Sequence, residues 1–201
     1  MGLSLQKGQG LSLTKKDGSS MAQVRLGLGW DAVEQPRKGF LGGLFGGGAT
    51  EIDLDASAIL YNAGGQALDT VFFNQLTSKD GSIRHTGDNL TGAGDGDDET
   101  IMVNLPSVNG AVQHIVFVIT SYSQQTFNQI KNAFCRVIDD SAGGSPEVAR
   151  YTLTDQGPYT AMIMAKLSRE GAGWKFTAIG RPANGRTVGD LVAPATAVLA
   201  Q

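Results

Sequence analysis

The chain is predicted to be an all-β protein, an antiparallel β-sandwich with few short helices, and three observations predict it. Apolar residues recur at period two in many short runs. Glycine occurs 28 times in 201 residues, well above a usual share of about 7%, and is spread among those runs, where turns and bulges use it. Helical patterning is confined to two short stretches.

In chain order, Leu3/Leu5 and Leu11/Leu13 alternate with polar residues, as a strand with one buried face does. Residues 24–30 continue in that style with Gly27 and Gly29 inserted. Ile52, Leu54, Ala56, Ala58 and Leu60 alternate with Asp53, Asp55 and Ser57, a strand whose apolar face belongs in the core. Strands are also expected at 70–74, 82–85, 100–105, 114–120, 133–138, 148–153, 161–168 and 174–179. The last two flank Glu170-Gly171-Ala172-Gly173, a hairpin signal. A short helix is expected within 123–132 and a terminal one within 189–200, where Pro194 sits badly in the interior. Many short strands with turn signals between them suggest one sandwich domain over 1–201. Residues 39–48 form an apolar, glycine-dense insert, read as a flexible loop or as a mobile apolar finger (Leu41, Leu44, Phe45) that touches a membrane or partner.

Composition removes several function classes. Hydrophobic residues make up 41% and charged residues 17%, enough apolar material for a core. The net charge is −3 without a basic stripe, which argues against nucleic acid as a partner. Cys135 is the single cysteine and lies in an apolar run, so it reads as a buried, inert thiol; one thiol argues against thiol-based metalloid detoxification. His85 and His114 have no cysteine cluster to join, so zinc is not expected. His85, beside the acidic segment, reads as structural or exposed rather than as a base. No run approaches the ~20 apolar residues of a membrane span, and no signal peptide is evident at the start, so cytoplasmic residence is expected.

The informative segment is Gly87-Asp88-Asn89-Leu90-Thr91-Gly92-Ala93-Gly94-Asp95-Gly96-Asp97-Asp98-Glu99. No Lys or Arg occurs between Arg84 and Lys131, so no cation nearby in the sequence neutralises it. Two carboxylates ~4 Å apart at an effective dielectric of ~20 repel by about 4 kcal/mol. The loop therefore stays open in water or closes on a cation. Gly92, Gly94 and Gly96 favour closure, since they let the backbone fold tightly and turn carbonyls inward. Carboxylates, an Asn amide and carbonyls are the ligand set of Ca²⁺, with Mg²⁺ second. Asp88 to Glu99 has the length of an EF-hand loop, but Leu90, Gly92 and Ala93 break its pattern and no helices flank it. A single Gly92–Asp97 repeat is not a β-helix, which needs stacked copies. Asp53 and Asp55 point to one face of a strand and complete a cation cage if that strand ends beside the loop. The expected ligand set is thus Asp53, Asp55, Asp88, Asn89, Gly92, Gly94, Asp95, Asp97, Asp98 and Glu99. Asp31 is a weaker candidate, and Asp80 in Lys79-Asp80-Gly81-Ser82 reads as a turn residue.

Gly27-Leu28-Gly29-Trp30-Asp31, Asp53-Leu54-Asp55-Ala56-Ser57-Ala58 and the acidic segment occur in this order, followed by Ile115-Val116-Phe117-Val118, Asn132-Ala133-Phe134 and Gly173-Trp174-Lys175-Phe176. Together they resemble the TerD-type tellurium-resistance and stress-response family, over about residues 3–180. The resemblance implies a sandwich similar to calcium-dependent lipid-binding domains, calcium held by the acidic loop and the Asp-Leu-Asp strand, and a role in bacterial resistance to tellurite and chemical stress. It also implies membrane-associated partners, and hence peripheral attachment at the inner membrane. The 39–48 insert and the segment 185–201 depart from the family pattern.

Three functions compete at this point. The first is a non-enzymatic calcium-binding interaction module. The second is a calcium-triggered membrane adaptor, in which the ion cancels negative charge facing anionic lipid. The third is a metal-dependent hydrolase, for which the sequence offers no convincing base or nucleophile.

Overall fold

The structure, a computed structural model, describes residues 2–15, 17–32, 53–87 and 96–201. Its strands are β1 (Leu3–Leu5), β2 (Gly10–Ser12), β3 (Gln23–Ala32), β4 (Leu54–Tyr61), β5 (Ala67–Val71), β6 (Ile83–His85), β7 (Glu99–Asn104), β8 (His114–Ser121), β9 (Ile130–Asp139), β10 (Glu147–Thr152), β11 (Ala161–Glu170) and β12 (Gly173–Ala183), followed by helix α1 (Val188–Thr196). They form two six-stranded sheets, ordered β1-β10-β9-β3-β7-β6 and β2-β12-β11-β8-β4-β5. Strand neighbours are antiparallel except β1 and β10, which run parallel. The expected all-β sandwich is the observed fold.

Alternation sets the inner faces. Val24, Leu26 and Leu28 of β3 and Val137 of β9 share one apolar cluster with Leu54, Ala56, Ala58 and Leu60 of β4 and Phe117 of β8. In β11 a register shift between Ile163 and Ala165 turns Met164 and Ala165 both inward, the local effect of a bulge. The second sheet is covered on its outer side as well. Ile59, Tyr61, Val116, Val118 and Ile163 pack under Val188, Leu191 and Ala195 of α1. Strands covered on both faces read as near-continuous apolar runs, and every residue of β4 is buried.

Two helix expectations meet different fates. Within 123–132 only one 3₁₀ turn forms, Phe127–Gln129, before β9 starts at Ile130. The buried Ile130, Ala133 and Cys135 join the core as strand residues, so tertiary burial overrides local helical preference. The terminal helix exists. Asp190 Oδ2 accepts the Thr187 N–H at 3.0 Å at its start, and Pro194 lies inside it. Proline has no N–H for the preceding turn. After Thr196 the chain tightens into bonds from Ala197 N–H to Pro194 O and from Val198 N–H to Ala195 O. The buried Lys166 ammonium then donates to the carbonyls of Val198 at 2.8 Å and Leu199 at 2.9 Å.

The Asp80 turn is as expected. Asp80 Oδ1 accepts from Ser78 Oγ at 2.6 Å, Ser82 N–H at 2.9 Å and Ser82 Oγ at 2.7 Å, and Oδ2 accepts from Asn109 N–H at 2.9 Å. Burial pushes its pKa up, but these bonds outweigh it and bring the carboxyl down to about 2. A folded-state pKa below the unfolded value of about 3.9 favours the native state above that value. The contribution is lost as pH falls from about 4 through about 2. Because the side chain faces water, Asp80→Ala is expected to cost only about 1 kcal/mol at neutral pH. The deficit should shrink on acidification, as read by urea unfolding at pH 7 and near pH 2.

Candidate functional site

One end of the sandwich collects the last residues of β3 and β6, the first residues of β4, β7 and β9, and the chain just before β7. Its geometry begins in β3. A register shift between Gly29 and Asp31 interrupts the pairing of β3 with β9. The Trp30 N–H, released from that ladder, donates to Asp98 Oδ2 at 2.8 Å, and the Asp98 N–H donates to Leu28 O at 2.8 Å. Asp98 is thereby strapped to β3. Asp31 beside it accepts from Asn132 Nδ2 at 2.7 Å; Asn132 occupies the left-handed region at φ +56°, which Asn tolerates better than most residues.

From the other sheet, β5 pairs with β4 only as far as Ala58, opposite Val71. Beyond that point the Ala56 N–H donates at 2.6 Å to Glu99 Oε2, so the first residue of β7 reaches across to the edge of β4. Asp53 and Asp55 flank Leu54 at that edge. Asp55 is 6% exposed and Glu99 2%. Asp53, Asp55, Asp98 and Glu99 all have interaction partners. The Asp53/Asp55 face is therefore not an ordinary solvated strand face.

Burial holds the Asp98 carboxyl above its ordinary pKa. The Trp30 N–H opposes this, while the charges of Asp31, Glu99 and Asp97 add to it. Three neighbouring carboxylates thus act on Asp98. Over them opens a cleft of about 330 Å³, walled by Trp30, Asp31, Asp98, Asn132, Phe134 and Arg150.

Asp97 is directed elsewhere. Its carboxylate lies over Gly27, where an added Cβ would land on it. Its Oδ1 accepts from Arg136 Nε at 2.7 Å, and Arg136 is the register partner of Gly27 on β9. From Arg136 the ion pairs continue to Glu147 at 3.2 Å and from Glu147 to Arg150 at 2.7 Å. Arg150 in turn lies 4.2 Å over the Phe134 ring. The sequence neighbourhood holds no cation for the acidic segment, but the fold brings one from β9.

Of the expected ligands, then, Asp53, Asp55, Asp98 and Glu99 come to one end of the sandwich with Asp31, and Asp97 faces Arg136. Asp88, Asn89, Gly92, Gly94 and Asp95 lie outside the described residues, as does the 39–48 insert. Among the described residues, no group of three His, Cys, Asp or Glu side chains is placed to hold a metal ion. The donors gathered here are carboxylate oxygens, and their chemistry fits a hard cation such as Ca²⁺ rather than zinc or copper. Cys135 is buried, and burial, with the charge of Asp97 adding, pushes its thiol up to about 12; it is not a thiolate donor.

Sequence reasoning missed Arg136, Asn132 and the place of His85. His85 is 1% exposed and its Nε2 lies 3.2 Å from Glu99 Oε2. The available signal was the spacing of Gly27 and Gly29 on one strand face, which marks a close approach of other groups.

The family comparison agrees with this architecture. Residues 1–193 match the TerD domain. The chain is 46% identical over 189 residues to the tellurium resistance protein TerZ of Serratia marcescens, covering 94% of each chain. It is 40% identical to the stress response protein SCP2 of Bacillus subtilis (strain 168), covering 96% of this chain and 98% of that one. A crystal structure of a TerD homologue from Streptomyces coelicolor A3(2) shares the fold, with a TM-score of 0.61 at 20% identity over 86% of this chain and 96% of the other. On the match over nearly its whole length and on these relatives, the chain belongs to the TerD domain family of tellurium-resistance and stress-response proteins.

Proposed function

We propose that the chain is a non-enzymatic calcium-binding protein of the bacterial tellurite and chemical stress response, an interaction module whose acidic end takes up Ca²⁺ and engages membrane-associated partners. The observation that carries the reading is the mutual repulsion at Asp98, a partly buried carboxylate facing the charges of Asp31, Glu99 and Asp97. Such an arrangement is costly without a cation and favourable with one. Asp53, Asp55, Asp98 and Glu99 supply part of the ligand set in this reading, and the acidic segment 88–95 supplies the rest. The tellurium-resistance and stress-response names of the relatives support the cellular role. Among the described residues no helix is long and apolar enough to cross a membrane.

The hydrolase alternative loses ground at His85. Its ring is buried and both nitrogens have neighbours within the protein, Gly87 N–H and Glu99, so it is not placed to take a proton from a substrate.

Calcium is expected to raise the stability of the protein over its EDTA-treated form by about 2.7 kcal/mol at a hundredfold excess over Kd. Mg²⁺ should do less, and Asp98→Asn should reduce the calcium shift. Thermal melts in EDTA, Mg²⁺ and Ca²⁺ read this directly. An unchanged melting temperature across the three overturns the reading.

A further inference from the structure

Where β4 runs out, at the end of the sandwich away from the acidic cluster, a second cleft of about 280 Å³ opens. It originates in one extra residue of β5. Tyr61 pairs with Ala67 and Leu60 with Asp69, so Leu68 is left over as a bulge. A bulge re-aims the side chains beside it. Leu68 packs against the core cluster that contains Leu60, and Asp69, opposite Leu60, turns the same way and keeps only 8% of its side chain exposed. Ala111 and Val112, from the loop between β7 and β8, form the facing wall. Arg169 pins that loop by donating to Val112 O at 2.8 Å and Val108 O at 2.9 Å, and its guanidinium lies 4.6 Å over the Trp174 ring. The cleft is therefore preformed, as small-molecule sites usually are.

Its walls are apolar and its rim is charged. Leu60 and Val112 are each 2% exposed, while Asp69, Lys79 and Asp80 stand at the opening. Asp69 Oδ1 accepts from Thr70 N–H at 3.0 Å and Gln75 Nε2 at 2.9 Å, and Oδ2 accepts from Lys79 N–H at 2.7 Å. A carboxylate offers about four acceptor sites, so among the described residues one remains for a further donor on Oδ2. Asp80, held by its turn, is ionised at neutral pH. Against these two charges the cleft lining sets one cation. Lys79 Nζ stands 3.6 Å from Asp69 Oδ1 with 76% of its side chain exposed, too far for a hydrogen bond and loosely held. The chain's own ammonium shows what the rim attracts, and its exposure lets it swing aside. An inward charge on an edge strand also discourages edge pairing, but that task needs no apolar hollow beside the carboxylate.

We infer that this cleft is a binding site for a small organic cation, an aliphatic primary ammonium whose carbon chain lies on Leu60, Leu68 and Val112 and whose nitrogen donates to Asp69 and Asp80. The class follows from the lining. An anion meets two carboxylates, a neutral alcohol leaves them uncompensated, and an inorganic cation gains nothing from the apolar walls. The volume is at the small end for ligand pockets, which run upward from about 300 Å³, so the chain is short. The described residues that line the cleft belong to the opposite end from the acidic cluster, and the inference is independent of the calcium reading.

The test titrates n-hexylammonium chloride, n-hexanol and sodium n-hexanoate into the full chain in EDTA, following the methyl NMR signals of Leu60, Leu68 and Val112. Hexylammonium is expected to shift these methyls saturably and to bind about tenfold more tightly than hexanol; hexanoate should leave them unmoved. From propylammonium to hexylammonium, each added methylene should tighten binding about fourfold. Asp69→Asn should weaken hexylammonium about tenfold and leave hexanol unchanged. Lys79→Met removes the competing ammonium and should tighten hexylammonium about threefold. Methyls that do not move with hexylammonium overturn the inference, as do hexanol affinities equal to those of hexylammonium. Weaker binding in Lys79→Met overturns it too, since the lysine would then be part of the seat rather than a competitor for it. If Asp69→Asn does not fold, Lys79→Met and the comparison of the three probes decide.

Discussion

Gly29→Val is expected to lower the stability of this protein by about 3 kcal/mol, at the upper end of what overpacking typically costs, although valine is the better strand former. A Cβ on Gly29 would meet the Phe134 ring and stand 2.8 Å from the Gly96 carbonyl oxygen. Neither neighbour can retreat cheaply. The ring is covered by Arg150, 4.2 Å away, and Arg150 is fixed by Glu147 through bonds of 3.1 and 2.7 Å. Gly96 lies two residues before Asp98, which β3 holds through Leu28 O and the Trp30 N–H. The strand would therefore shift as a unit, and the Asp98 carboxylate would move with it. Gain in strand propensity spans at most about 1 kcal/mol, so the steric cost decides the sign. Gly110→Ala serves as the control, because nothing lies within 4 Å of a Cβ there; its effect should stay within about 0.5 kcal/mol. Urea unfolding of the three proteins in EDTA measures the difference. A Gly29→Val protein as stable as wild type would show that β3 needs no notch at this point.

The same two glycines show where the sequence is legible and where it stops. Period two marked β3, with Gly27 and Gly29 read only as insertions; their place on one face was the unread signal of a close approach. What approaches was not readable, because Asp97, the carboxylate that fills the Gly27 notch, and its partner Arg136 are 39 residues apart. Only the β3–β9 register brings Arg136 opposite Gly27. Charge counting along the chain therefore left the acidic segment without a cation, while the folded chain provides one at its end. The β4 pattern was legible for the inner face, where Leu54, Ala56 and Ala58 enter the core. It was not for the outer face, where the expected polar side proved buried: α1 covers Ile59 and Tyr61, and Asp55 and Ser57 are buried. The helix expected at 123–132 failed for a related reason. Local preference for a helix is worth tenths of a kcal/mol per residue, whereas burying Ile130 and Cys135 is worth more. His85 was undervalued because a single histidine carries no periodic signal. Its meaning lies in two bonds, one to Gly87 and one fourteen residues away at Glu99.

Arg136 is the second position at which a large effect is expected. Arg136→Ala should cost about 3 kcal/mol, because it leaves the Asp97 side chain, 8% exposed, without its ion-pair partner. The figure sits at the low end for a broken buried pair, since Arg136 itself is about a quarter exposed and water screens part of the loss. Glu147 keeps Arg150 and should be affected less. Replacing both partners separates the charge from the contact. Arg136→Met with Asp97→Asn removes both charges while preserving most of the volume, and this double variant should recover the greater part of the stability lost in Arg136→Ala. A double variant as unstable as the single one would mean that the loss lies not in the stranded Asp97 charge but in the guanidinium's other contacts, such as that to Glu147. The calcium dependence gives the second reading of the same protein. In Arg136→Ala the Asp97 charge, which already acts on Asp98 beside those of Asp31 and Glu99, loses the guanidinium that offsets it. A divalent cation at that end would then relieve more repulsion than it does in the wild type, so calcium should stabilise Arg136→Ala by a larger margin than it stabilises the wild type. Equal calcium shifts in the two proteins would place the ion beyond the influence of Asp97, and would make the Asp97–Arg136 pair a strut of the outer sheet face and nothing more.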